Sequence, residues 1–365
     1  AFNFPAWGLW EKAAPALLSG VAVIVKPATA TAWLAQRMVR DVVEAKVFPV
    51  GAVSVVSGAS DGLLDALGPF DLVSFTGSAE TAHLIRSHPA VAQRSVRANI
   101  EADSVNSALL LPGAAPGSES FDLLVREAVR EMTAKSGQKC TAIRRIFVPD
   151  TIYDAVAEAI AAKLARMVVG NPRNETVKMG SLVSRGQRAN VEEALAKLKR
   201  GADVLHDGTA MAIVDADAAS SACVAPTLLG VRDPANARDA HTTEVFGPVA
   251  TLMPYRNLDE AYEWIRRGEG SLVASLYGDD LAALARAAAE LADSHGRVHV
   301  VSPDVAQLHT GHGNVMPQSM HGGPGRAGGG EELGGLRALN FYHRRSAIQA
   351  SRGVLDALVP PKGAA

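Results

Sequence analysis

Cysteine, net charge and long apolar runs are all scarce in this 365-residue chain, and each scarcity excludes something. Two cysteines, Cys140 and Cys223, cannot build a disulfide framework and fit a reducing compartment, which points to the cytoplasm. With 36 basic against 38 acidic side chains the net charge is −2, which argues against a nucleic-acid partner needing a basic face. The longest apolar stretch, Ala13 to Val25, is interrupted by Pro15, Ser19 and Gly20 and closed by Lys26, so it is too short to span a membrane. The opening Ala1-Phe2-Asn3-Phe4-Pro5 has no charged region of the kind that starts a secretory signal. What remains is a chain 48% hydrophobic, long enough for two domains and too apolar to be disordered.

Apolar runs bounded by Gly or Pro alternate with helical patterns. Strands are expected at Val21–Val25, Gly51–Gly58 and Asp71–Phe75, with a helix from Thr29 to Glu44 and another ending near Ser87. Strands separated by helices imply right-handed crossovers and a parallel sheet, so the first hundred residues read as a partial doubly wound α/β domain. A turn-rich break follows between Glu101 and Gly117. Beyond it the pattern predicts a helix from Phe121 to Lys135, a strand from Ile143 to Val148 and an amphipathic helix from Ile152 to Val169. Thr310 to Gly335 is Gly-rich without a period and reads as loop.

Candidate chemistry is thinly spread. A lone Cys is most often a small buried hydrophobe, and Cys223 in its apolar setting is left so. Cys140, after Ser136-Gly137-Gln138-Lys139, has polar, basic neighbours that would lower a thiol pKa, as a nucleophile requires. Glu101 is either a solvated carboxylate or a general base raised into its working range at a domain junction. Asn3 is either a turn residue or an amide donor for an oxyanion. Phe75-Thr76-Gly77-Ser78, between a strand and a helix, suits a nucleotide phosphate but lacks the three-glycine fingerprint. His309, His312 and His321 read as loop histidines rather than metal ligands, and Arg144 and Arg145 as surface charge.

Taken together these motifs resemble the aldehyde dehydrogenase superfamily from Ala1 to about Gln349. Phe2-Asn3-Phe4-Pro5, Lys26-Pro27-Ala28, Phe75-Thr76-Gly77-Ser78, Glu101, Gly137-Gln138-Lys139-Cys140 and Glu244-Val245-Phe246-Gly247-Pro248 occur in the family's order. The resemblance implies a Rossmann-type cofactor domain, partial here, beside an α/β catalytic domain. Its expected divisions are residues 1–103, 104–335 and a C-terminal segment, 336–365. It also implies Cys140 as nucleophile, Glu101 as base and Asn3 as oxyanion donor. Lys26 would meet the adenosine ribose, Gly77 and Ser78 the pyrophosphate, Glu244 the nicotinamide ribose and Phe246 the nicotinamide.

Two departures narrow the expectation. Thr29 stands where many NAD-preferring members carry a glutamate that would repel a 2′-phosphate, which favours NADP over NAD. Glu101-Ala102-Asp103-Ser104 and His321-Gly322-Gly323-Pro324-Gly325-Arg326 look like the branch that oxidises CoA-linked semialdehydes in aerobic aromatic degradation. The resemblance thus implies a CoA-linked aldehyde as substrate and a homodimer, and Thr310–Pro317 and Phe341–Ser346 look closer to a stand-alone enzyme than to the alternative, the dehydrogenase half of a ring-opening bifunctional protein. Competing readings are a CoA-acylating dehydrogenase, a Cys–His hydrolase and a catalytically dead remnant or scaffold. Family members are commonly longer and place the Phe2-Asn3-Phe4-Pro5 motif well inside the chain. The expectation is therefore an N-terminal truncation, with cofactor affinity and stability below those of a longer protein.

Overall fold

The computed structural model describes residues 1–358; the end of the expected 336–365 segment lies outside them. Helix α1 (Pro5–Leu18) starts on Pro5, whose fixed φ suits a first helical turn. It buries Leu9, Ala13 and Ala16, and meets α2 (Ala32–Glu44) through Ala35 and Val39. Packed with them are β1 (Val23–Val25) and β2 (Val53–Val55), paired in parallel with Val23 opposite Val53. A second parallel pair joins β3 (Leu72–Thr76) to β4 (Arg97–Glu101), with Thr76 opposite Glu101. Helices α3 (Ala79–Ser87) and α4 (Pro89–Ala92) make that crossover. The first two expected strands are present but shorter, the third is shifted by one residue at equal length, and with β4 they form two separate pairs rather than one sheet.

The next elements build a seven-stranded sheet. Strands β5 (Ser107–Leu110), β6 (Arg145–Pro149), β8 (Asp203–Asp207), β10 (Thr227–Gly230), β11 (Val249–Tyr255), β12 (Ser271–Tyr277) and β13 (His295–Val301) lie in the order β13-β12-β5-β6-β11-β10-β8. All neighbours are parallel except β8, which runs antiparallel at one edge. A short parallel pair, β7 (Val169–Gly170) with β9 (Ile213–Val214), lies outside it. Helices α5 (Glu119–Thr133) and α6 (Tyr153–Leu164) cover one face with Leu124, Ala128, Met132, Val156 and Ile160. The other face packs Leu109, Phe147, Met253 and Leu276 against Trp264, Ile265 and Leu284. Burial on both faces explains why Ile146-Phe147-Val148 reads as an unbroken apolar run.

The Gly-rich region corrects the sequence reading. Rather than being loop throughout, it contains an antiparallel ribbon of β14 (Met320–Gly322) and β15 (Glu331–Leu333), with His321 opposite Glu332. Its glycines let backbone lie against backbone. The Ala102 N–H donates to the Ala327 carbonyl at 3.0 Å and the Gly330 N–H to that of Ile100 at 3.0 Å. At Gly328 (φ +110°) a Cβ would lie 2.1 Å from the Ile100 carbonyl oxygen.

Candidate active site

Cys140 is half-buried on the segment between α5 and β6. The chain reaches it through left-handed backbone at Lys135, Ser136 and Gly137. At Gly137 (φ +70°) a Cβ would fall 2.2 Å from the Gly247 carbonyl oxygen, so only glycine fits without movement. Polar contacts then pin the turn. Arg144 donates to the carbonyls of Gly247 (2.7 Å) and Gly137 (2.8 Å), and Asn106 to those of Cys140 (2.7 Å) and Ala142 (3.0 Å). Lys139 Nζ lies 2.7 Å from both Glu131 oxygens.

Arg144 and Arg145 are therefore not surface charge: both are buried. Arg145 donates to the carbonyls of Val105, Trp264 and Ile265 at 3.0, 3.1 and 3.0 Å, tying β6 to its neighbours. A pair of arginines reads as exposed in one dimension because nothing local announces the carbonyls that receive it.

Glu101 ends β4 and is buried beside the thiol. A Glu101 oxygen, the Cys140 sulfur and a His321 ring nitrogen lie within 4.8 Å of one another. His321 Nε2 is 2.9 Å from Glu101 Oε2, and Thr76 Oγ1 donates to the same oxygen at 3.4 Å. His321 is thus no loop histidine; its role carries no local signal, because 180 residues separate it from Cys140 with no motif joining them. By contrast, His312 is buried against Ser275 Oγ (2.8 Å), and His309 meets His299 at 3.4 Å.

Electrostatics reverse two sequence expectations. Burial and the Glu101 charge push the Cys140 thiol up to about 11 rather than down. Burial alone would raise Glu101, but His321, Lys12 and the thiol outweigh it and hold the carboxyl at about 2. Burial likewise opposes the charge on His321, yet Glu101 and Cys140 raise its pKa well above the ordinary value. The resting arrangement is an imidazolium–carboxylate pair beside a protonated thiol.

A second cluster adjoins it. Lys12 Nζ, from α1, lies 2.7 Å from Glu332 and 3.0 Å from Glu11, and oxygens of Glu11, Glu101 and Glu332 gather within 4.8 Å. Burial lifts Glu332 to about 8, with Lys12 opposing. Burial disfavours the Lys12 charge, but the three carboxylates outweigh it and raise its pKa. His321 and Lys12 supply counter-charge within these clusters, which suits proton handling better than a metal cage. Glu11 and Lys12 carried no signal in sequence beyond a charged pair on an apolar helix.

The remaining expected residues fall into two groups. Lys26 follows β1, Thr29 opens the turn Thr29–Thr31, and Gly77 and Ser78 follow β3, so all four lie outside carboxyl ends of parallel strands, where ligand crevices form. Ser78 caps α3 by accepting from the Thr81 N–H at 3.2 Å. Among the described residues no hydrogen bond or ion pair joins Lys26, Thr29 or Ser78 to Cys140, Glu101 or Glu244. The second group does converge. Phe246 packs edge-on to Phe2 (5.8 Å) with Arg144 over its ring (5.6 Å). Phe4 meets Trp7 (5.6 Å), and Trp7 meets His321 (5.2 Å), so the segment carrying buried Asn3 spans both sides of the site. Glu244 lies 3.9 Å from Arg144, and burial together with Asp103 raises its pKa well above the ordinary value.

A parallel α/β scaffold, a cysteine on a strained turn and a buried carboxylate beside it define a class, and the chain belongs to the aldehyde dehydrogenase family, whose profile matches residues 1–348. It is 59% identical over 325 residues to the 3,4-dehydroadipyl-CoA semialdehyde dehydrogenase of Aromatoleum evansii, covering 89% of this chain and 63% of that protein. It is 31% identical to the phenylacetaldehyde dehydrogenase of Pseudomonas fluorescens, covering 96% of this chain and 65% of that one. A solved structure of betaine aldehyde dehydrogenase from Staphylococcus aureus superposes with a TM-score of 0.80 at 27% identity, covering 93% of this chain and 64% of that one. The chain thus spans less than two thirds of the length of each of these relatives.

Proposed function

We propose that this chain carries the catalytic groups of an NADP-dependent dehydrogenase that oxidises a CoA-linked semialdehyde, 3,4-dehydroadipyl-CoA semialdehyde, to the acid in aerobic benzoate degradation. The observation that carries this reading is the meeting of Cys140 and Glu101, in a chain 59% identical to an enzyme of that name. The same reading makes the protein a cytoplasmic homodimer, two free cysteines being compatible with a reducing compartment.

As the Cys140 sulfur bonds to the aldehyde carbon, its proton passes to the Glu101 carboxylate. The Asn3 amide and the Cys140 N–H would hold the resulting oxyanion. Departure of hydride leaves a thioester on Cys140. Glu101, once deprotonated, takes a proton from water, and the hydroxide carbon–oxygen bond replaces the carbon–sulfur bond to release the acid. Lys12 and Glu332 give Glu101 neighbours through which its proton can leave, Glu332 being held near neutrality.

The residues fit a dinucleotide: Ser78 opens α3, and Glu244 Oε1 is a buried oxygen with no hydrogen-bond partner among the described residues. Lys26, Thr29, Gly77, Ser78, Glu244 and Phe246 would hold it, and what it contributes is the hydride acceptor. Thr29 removes the charge that would repel a 2′-phosphate, which supports NADP over NAD. The Cys–His hydrolase reading gains a histidine beside the thiol, since His321 lies with Cys140 and Glu101 in one cluster, but its Nε2 is engaged by Glu101 at 2.9 Å, and dehydrogenase against hydrolase turnover separates the two. The test is cofactor reduction at 340 nm with a CoA-linked semialdehyde against simple aliphatic aldehydes. Tighter use of NADP, acid formed without added CoA and no turnover by Cys140→Ala are expected. Tighter use of NAD would overturn the cofactor assignment, and turnover by Cys140→Ala the mechanism.

A further inference from the structure

The β14–β15 ribbon brings two ionisable side chains to the base. His321 and Glu332 are direct cross-strand partners, so both leave the same face of the ribbon. The imidazole is seated firmly: its side chain is 3% exposed, and Trp7 packs against it with ring centroids 5.2 Å apart. Its Nε2 meets Glu101 Oε2 at 2.9 Å, while Glu101 Oε1 is buried with no hydrogen-bond partner among the described residues. One oxygen of the base is thus held and the other is free.

The charged and titratable side chains around Glu101 are His321 from β14, Lys12 and Glu11 from α1, Glu332 from β15, and Cys140. Lys12 is engaged by Glu332 at 2.7 Å and Glu11 at 3.0 Å. The cation in direct contact with Glu101 is therefore His321. A carboxylate this deep, deprived of a contacting cation, would take up a proton and be unable to accept another.

We propose that His321 is a positioning residue that keeps Glu101 ionised and oriented, pairing as imidazolium with Oε2 and leaving Oε1 to receive the proton from the Cys140 thiol. His321 keeps its own proton throughout; the proton moved is the thiol's. This rests on the reading above, in which Glu101 is the base. The pKa directions agree, with Glu101 held low and His321 raised.

Two measurements test it. In ¹⁵N-labelled protein, the ring resonances of His321, identified by their loss in His321→Phe, should show an imidazolium at pH 8. In Glu101→Gln the same ring should be neutral at pH 7, because burial is then opposed only by the thiol. A neutral His321 at pH 7 in the parent would overturn the proposal. In the pH profile of kcat, His321→Phe should move the acid limb up by about one pH unit or more, a rate loss of about tenfold on that limb, with KM for the aldehyde little changed. His321→Gln, a donor without charge, should fall between. An unmoved limb in His321→Phe that still unfolds cooperatively would also overturn it. If His321→Phe does not fold, the parent and Glu101→Gln spectra decide, with the resonance assigned through His321→Gln. Absence of turnover in the parent would count against the dehydrogenase reading, while the spectra still decide the ion pair.

Discussion

Asp103 and Arg326 form an ion pair across 223 residues of sequence, Arg326 Nε lying 3.0 Å from Asp103 Oδ2. Asp103 belongs to the stretch Glu101–Ser104 and Arg326 to the stretch His321–Arg326, and the contact joins the two in space. Arg326 also donates to the Thr242 carbonyl at 2.8 Å, joining the ribbon segment to the approach to Glu244. The side chains are 14% and 18% exposed, so removing one partner strands a mostly desolvated charge. Arg326→Ala should cost about 2–3 kcal/mol in urea denaturation. Adding Asp103→Ala should recover part of that loss, and strict additivity would show that the pair does not couple.

Gly137 is the steric keystone of the nucleophile turn. In Gly137→Ala the new Cβ would meet the Gly247 carbonyl oxygen at 2.2 Å and the Pro248 nitrogen at 2.7 Å, at φ +70°. The expected loss is about 2–4 kcal/mol, measured by denaturant unfolding, with Cys140 displaced from Glu101. Unchanged stability would mean that the turn relaxes more readily than its packing suggests.

With its pKa raised to about 11, the Cys140 thiol is overwhelmingly protonated at neutral pH. Its alkylation by iodoacetamide, followed by mass spectrometry of its own peptide, should rise about tenfold per pH unit from pH 7 to 9. A plateau below pH 9 would contradict the assignment. The buried Cys223 provides an internal comparison.

Glu101 couples the site to acid stability. Its folded pKa of about 2 lies below the ordinary value of 4.5, so its contribution is present above pH 4.5 and is lost as pH falls through 2. Stability measured by urea denaturation should therefore fall more steeply between pH 4.5 and 2 in the parent than in Glu101→Gln. Parallel slopes would show that the carboxylate is not held by its cationic neighbours.

The amino-acid sequence by itself determined the alternation of strands and helices, the order of the family's motifs and the identity of Cys140 and Glu101 as the pair worth testing. These are local properties: an apolar run such as Ile146-Phe147-Val148 and a turn such as Gly137-Gln138-Lys139-Cys140 carry their meaning within a few residues. Only the tertiary structure decided where charge resides. Arg144 and Arg145 become interior struts because carbonyls from distant segments receive them. The thiol is raised by burial and the Glu101 charge, while His321 and Lys12 hold the carboxylate low against its own burial, and none of these neighbours adjoins its target in sequence. The Gly-rich stretch looked like loop for the same reason: its glycines answer to the backbone of Ile100, which lies 228 positions before Gly328. Desolvation and Coulomb interaction depend on distance in space, and that distance is set by the fold.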